Sequence, residues 1–288
     1  MAQEVLTQAQ LEEGQPPVPA RDQGLTARNW ISLAAFVLNL VITYTSLTGL
    51  FGETNSDLSK KYQTPVTPAG WAFSIWGLIF VWEAVFAVAQ MFSPFRDSPV
   101  TMRIAPWWWS ACLFQILWTI FFAQEMITAS LVCMVGILVS LMGLAFSTAG
   151  LKVSCLEYWL LRGPFSVHLG WIIVATAVNV SVQADASKAS PKQLLILALI
   201  SYEVVCVLAT IFATAIGRPD PVVCLVACWA FYAIAAELRD PVNLNDPTRF
   251  NAYELDSRTL DMLAGGALGV AGISAVLAAW AVSRRFLW

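Results

Sequence analysis

Charge is what this 288-residue chain has least of. Only 12% of its residues are Asp, Glu, Lys or Arg, against 58% hydrophobic ones. Soluble domains carry about 25% charged residues, and half that amount cannot cover a globule of this size. A mean hydropathy of +0.67 agrees, so the chain reads as an integral membrane protein. Such a composition excludes a disordered chain. The lack of any polybasic run excludes a basic nucleic-acid binder and an anionic-lipid clamp, and no nucleic acid is expected as a partner. Histidine is all but missing, with His168 alone. The six cysteines lie mostly in apolar runs, where a thiol acts as a small hydrophobe. Cys224 and Cys228 are one helical turn apart but have no His near them in sequence, so neither a metal site nor a disulfide framework is expected. No Lys sits in the middle of a late apolar run, which argues against a retinal protein. No nucleophile–base pair or phosphate loop is legible. The chain is not expected to be an enzyme, and no cofactor is obligatory.

What is present in excess is aromatic and aliphatic sequence, with 13 Trp and 16 Phe. Eight runs, roughly 29–52, 70–92, 105–124, 127–150, 163–184, 192–217, 220–238 and 259–283, reach or approach the roughly 20 apolar residues that a bilayer-spanning helix needs. None alternates with a period of two, so a barrel is excluded and the spans are helices. The third and fourth runs are so close that they form an antiparallel hairpin. Residues 1–28 read as a disordered polar tail. Loop 53–69 is long enough to fold over one mouth of a bundle, and loop 239–258 falls on the same side. Nine of the sixteen Lys and Arg fall on the side of the N-terminal tail, a small positive-inside bias that puts that side in the cytoplasm or its equivalent. Which membrane holds the chain is not legible.

Several spans carry polar groups on helical stripes. Pro164, His168, Trp171, Ala175 and Asn179 are spaced four, three, four and four, which puts them on one face of the fifth span. That face belongs to the bundle interior, either as helix–helix glue or as a pocket wall. Phe73, Trp76, Phe80 and Glu83 form a second stripe in the second span. An ionised acid at mid-membrane costs about 2.5–3.5 kcal/mol on insertion scales, so Glu83 should face protein or water. Glu203 is the other deep acid, expected in a small interhelical network with Tyr202 as a candidate partner. In the third span Phe114, Trp118 and Phe122 share a face with Gln115 beside them, and Trp107–Trp109 after Pro106 reads as an interfacial belt. His168 is open to three readings: a haem-iron ligand, a proton carrier or a hydrogen-bonded interior imidazole. With a rise of 1.5 Å per residue, Glu83 and His168 fall about 10 Å and about 8 Å from the same membrane face. They are expected at similar depth, facing one interior.

These motifs carry a resemblance. PFSVHLGWIIVATAVN resembles the last core helix of the translocator protein / tryptophan-rich sensory protein (TspO/MBR) family, through Pro164, Trp171, Ala175 and Val178–Asn179. TPAGWAFSIWGLIF resembles the family's second helix through Pro65, Pro68, Phe73, Trp76, Leu78 and Phe80, and QILWTIFF its third through Trp118, Phe121 and Phe122. Gln115 stands where compact members have Asn, and three further spans follow residue 190, as in the longer, divergent relatives. The resemblance implies an all-α polytopic membrane protein. Its TspO-like five-helix bundle occupies 29–184, and about three additional C-terminal transmembrane helices occupy 192–288. It further implies an aromatic pocket closed by the first loop. The ligand class it implies is a flat hydrophobic molecule, tetrapyrrole (porphyrin or haem) or sterol-like, handled for transport, sensing or stress response. The candidate ligand-binding residues are then Phe73, Trp76, Phe80, Glu83, Gln115, Trp118, Phe122, His168, Trp171, Ala175 and Asn179. Partners are the small hydrophobic molecule, the lipid bilayer and, as a further candidate, a second copy in a homodimer. The alternative is a proton-coupled secondary transporter of a small molecule, working through buried Glu83 and Glu203.

Overall fold

A computed structural model describes residues 24–214, 219–244 and 255–286. Among these residues all regular structure is helical, and eight helices are long and apolar enough to cross a membrane. In chain order they are α1 (Ala27–Ser46), α3 (Gly70–Ala89), α4 (Pro99–Ala123), α5 (Ile127–Ala149), α6 (Cys155–Ala186), α7 (Pro191–Thr214), α8 (Pro221–Arg239) and α9 (Ser257–Phe286). A short helix, α2 (Asn55–Lys61), lies in the loop between α1 and α3. The helix starts follow local chemistry. Ser98 and Asp220 are N-caps directly before Pro99 and Pro221, where proline loses no hydrogen bond and its fixed φ suits the first turn. Ser154 and Glu157 form a reciprocal capping box at the start of α6.

α6 sits at the centre, packed against α3, α5, α7 and α8, while α4 packs on α1 and α5, and α9 on α7 and α8. α1 and α7 are edge helices with mostly exposed flanks. Hydrogen bonds between loops sort cleanly by membrane side. Arg28 donates to the Arg96 carbonyl, Asn29 to that of Gln90, and Tyr158 to Asp220 at one end. Lys61 meets Glu125, and Asn243 the Lys60 carbonyl, at the other. Eight crossings therefore return residues 27 and 286 to one side. In a protein stripped of its native cysteines, single cysteines at positions 28 and 284 will react with an impermeant maleimide from the same face of proteoliposomes, and one at position 60 from the opposite face. Opposite labelling of 28 and 284 would remove a span.

The eight expected spans are all present, with shifted ends. α1 stops at Ser46 rather than 52. There Ser46 and Thr48 hydroxyls donate to the Thr43 and Thr45 carbonyls, and Gly49 turns the chain at φ +77°. α6 starts at Cys155 rather than 163, through a wide π turn over Tyr158–Arg162. α4 starts at Pro99 and carries Pro106 inside it. This overturns the interfacial belt at Trp107–Trp109: Pro106 is not a boundary, so the triplet lies well inside the span. Trp108 is fully buried, and Trp109 donates to the Ser32 hydroxyl. The disordered tail expected over 1–28 lies largely outside the described residues, as does most of loop 239–258 beyond Leu244.

Candidate functional site

A cavity of about 410 Å³ opens among the end of α1, helix α2, the first turns of α3, the middle of α4 and the end of α8. Tyr44, Phe73, Trp76, Phe80, Gln115 and Trp118 line it, with Lys60, Gln63, Glu237 and Val242 towards the mouth. A smaller lobe of about 40 Å³ continues between α4 and α6, lined by Trp118, Phe122, Trp171, Ala175 and Asn179. Phe73, Trp76 and Trp118 belong to both lobes.

The wall is an aromatic lattice. Trp76 stacks on Phe80 at 5.9 Å and meets Trp171 edge-on at 6.4 Å. Phe73 meets Trp171 at 5.7 Å, and Trp118 stacks on Phe122 at 5.2 Å. Trp118 is pinned across helices, its indole N–H donating to Asn179 Oδ1 at 3.0 Å. The Asn179 amide in turn donates to the Ala175 carbonyl one turn back. These two residues fix the α4–α6 spacing on which the small lobe depends. Gln115 is buried, and neither atom of its amide has a protein partner among the described residues.

Residues 54–69 form a lid over the mouth. Gln63 anchors it from below: its carbonyl oxygen accepts from the Asn243 and Leu244 N–H groups at 2.6 and 3.0 Å, and its amide donates to Glu237. Lys61 and the Tyr62 hydroxyl both donate to Glu125 Oε2, at 2.5 and 2.7 Å. Lys61 foremost, and Tyr62 after it, hold the Glu125 carboxyl below its ordinary range. Burial foremost, with Glu125 adding to it, pushes the Tyr62 phenol up. The Glu125 tether is therefore complete above the usual carboxylate range and weakens as pH falls through the lowered value. Gly52 lets the chain enter the lid against α4: at φ +137° it lies so close that a Cβ would stand 2.2 Å from the Ala123 carbonyl oxygen.

Nine of the eleven expected ligand-binding residues line the two lobes. Glu83 and His168 line neither. They meet each other instead, Glu83 Oε1 standing 2.8 Å from His168 Nδ1, with the Trp108 indole N–H donating to Glu83 Oε2 at 3.2 Å. The Trp76 ring, edge-on to His168 at 5.7 Å, is the point where this pair touches the cavity wall. Their expected common depth and orientation therefore hold. Glu203 is a correction. It is exposed on the outer face of α7, because its neighbour Tyr202 takes the inward position and donates to the Leu263 carbonyl. One residue of offset turns a helix by about 100°, so only one of the two can face the bundle. Sequence reasoning placed loop 53–69, which carries α2, over the mouth, but it missed the far wall from α1 and α8. Only Glu237, an acid at the end of an apolar run, left any signal.

Fold and site define a class: a polytopic helical membrane protein with a lidded aromatic cavity between its helices. A family model described as TSPO-like protein matches residues 29–250, and the chain belongs to that family. No curated protein and no solved structure matches it.

Proposed function

We propose that the protein binds a flat hydrophobic molecule, tetrapyrrole or sterol-like in shape, between α3, α4 and α6 beneath the lid. The reading is of binding for transport or sensing, without an obligatory cofactor and without chemistry on the ligand. The observation that carries it is the shared wall of Phe73, Trp76 and Trp118 between the two lobes. A cavity of about 410 Å³ lies within the range of about 300–1,000 Å³ typical of small-molecule sites, and an apolar aromatic lining with few convergent polar groups is their usual composition. Gln115 supplies one such polar group at the floor. The carrier reading that relied on two buried acids keeps Glu83 but loses Glu203, which faces outward.

The test is a titration of the purified protein with a porphyrin panel and a sterol, followed by absorbance and Trp emission. Bound porphyrin should quench the emission. Trp76→Leu and Trp171→Leu should each weaken binding about tenfold or more, since an aromatic contact and its buried area are lost together. Unchanged affinity in both variants would mean that the aromatic lattice is packing alone.

A further inference from the structure

We propose that Glu83 and His168 form a proton-binding site inside the membrane, linked through Trp76 to occupancy of the aromatic cavity. The two side chains are 0% and 1% exposed, with Glu83 Oε1 and His168 Nδ1 2.8 Å apart. The Trp108 N–H occupies the other carboxylate oxygen. Every polar position of the pair is thus taken except His168 Nε2, which is buried and has no protein partner among the described residues.

Among the described residues no other charged side chain pairs with Glu83 or His168. From α4, besides Trp108, comes Cys112, whose sulfur takes the Asn39 amide of α1 at 3.9 Å. The nearest titratable side chain on α5 is the buried thiol of Cys133. α8 meets α6 at Gly170 with Val223 and Val226. Arg162 and Asp220 group around a separate small cavity nearer the start of α6, where Tyr158 and Ser166 donate to Asp220. A carboxylate beside a neutral imidazole would therefore leave a net negative charge in a low-dielectric core, which is strongly disfavoured. One further proton makes the pair neutral overall, either as a carboxylic acid beside imidazole or as a carboxylate beside imidazolium. With Nδ1 committed to Glu83, the imidazolium carries its second N–H at Nε2. Loss of the proton breaks that N–H bond and passes the proton to water, and uptake reverses the step.

Trp76 couples this site to the cavity. Its indole touches the imidazole on one side and lines both lobes on the other. A ligand that repacks Trp76 changes the contact and the dielectric around His168, and linkage requires protonation to change ligand affinity by the same factor. This second half rests on the cavity reading above; the proton site does not.

The chain contains a single histidine, so 15N-histidine labelling of the whole protein gives one imidazole to observe. Without any ligand, the 15N shifts of that imidazole should change over a titration from about pH 5 to 9, and the change should differ in Glu83→Gln, a near-isosteric variant that removes the carboxylate. An imidazole that stays in one state across this range in both proteins overturns the proton site. In a second arm, protoporphyrin IX dimethyl ester, which has no carboxylate to titrate, is bound at the two ends of the wild-type transition. Affinity should differ about fivefold or more between those two pH values in the wild type, and in Glu83→Gln it should follow the altered imidazole response rather than the wild-type one. A titrating histidine with pH-independent affinity overturns the coupling. A titrating histidine with no binding at any pH overturns the cavity reading and upholds the proton site.

Discussion

Gly170→Ala will destabilise the protein, although alanine is the better helix former by about 1 kcal/mol. A Cβ at position 170 would stand 2.8 Å from Val226 Cβ and 3.3 Å from Val223 Cα. Neither is the tip of a flexible side chain, so α6 and α8 must separate to admit it. Overpacking of this kind costs about 1–3 kcal/mol, and separation also forfeits close helix contact, the main source of cohesion where lipid is as apolar as the interface. Gly170→Leu will do more damage, because three further carbons enter the same crossing. Gly77→Ala is the control: its Cβ meets nothing within 4 Å, so only the helix-propensity gain remains. The readout is thermal exposure of thiols, since Cys112, Cys133 and Cys224 are buried. At about 2–4 °C per kcal/mol for a chain of this order, Gly170→Ala should melt several degrees below the wild type and Gly77→Ala at or above it. Equal melting of the two would mean that α8 does not depend on its seat against α6. The wider point is that α6 is shared: α3 and α5 hold one flank and α8 another. The later helices are therefore built into the core's central helix.

The helical stripes were legible because a period of 3.6 with His, Trp and Asn on one face leaves little choice of direction in a membrane. The same arithmetic of rise per residue placed Glu83 beside His168. The errors share a different cause. A span beginning at 105 treats Pro106 as a helix boundary, yet transmembrane helices tolerate interior proline because neighbouring groups re-satisfy the freed carbonyl, and that boundary hides the burial of Trp108. Glu203 and Tyr202 are adjacent in sequence, so hydropathy alone does not say which faces inward; packing against Gly266 and Leu263 of α9 does. The far wall of the cavity was invisible for a third reason. Gln63 meets Asn243 across 180 positions, and no local pattern encodes a contact at that range. Roughly, what one helix face determines could be read, and what two distant loops determine could not.

Glu83→Leu will destabilise the protein more than the double replacement Glu83→Leu/His168→Leu. The single change strips the partner from two buried nitrogens at once, His168 Nδ1 and the donating Trp108 Nε1, now held at 2.8 and 3.2 Å. Breaking one side of a buried pair costs about 3–5 kcal/mol, whereas replacing both sides by packed hydrophobic groups is often close to neutral. In the double variant only the Trp108 N–H remains unpaired, at about 1–3 kcal/mol. Glu83→Gln keeps the shape and an acceptor for Trp108, so it should be the mildest of the three. The ordering expected by thiol-exposure melting is Glu83→Gln above the double variant, and the double variant above Glu83→Leu. A double-mutant cycle should then return an interaction energy of about 0.5–3 kcal/mol between positions 83 and 168, as for residues in one network. If the two single effects simply add, the pair is two separate buried groups. If the cycle closes as expected while His168 fails to titrate, the pair holds α3 to α6 and binds no proton, which separates its structural from its functional role.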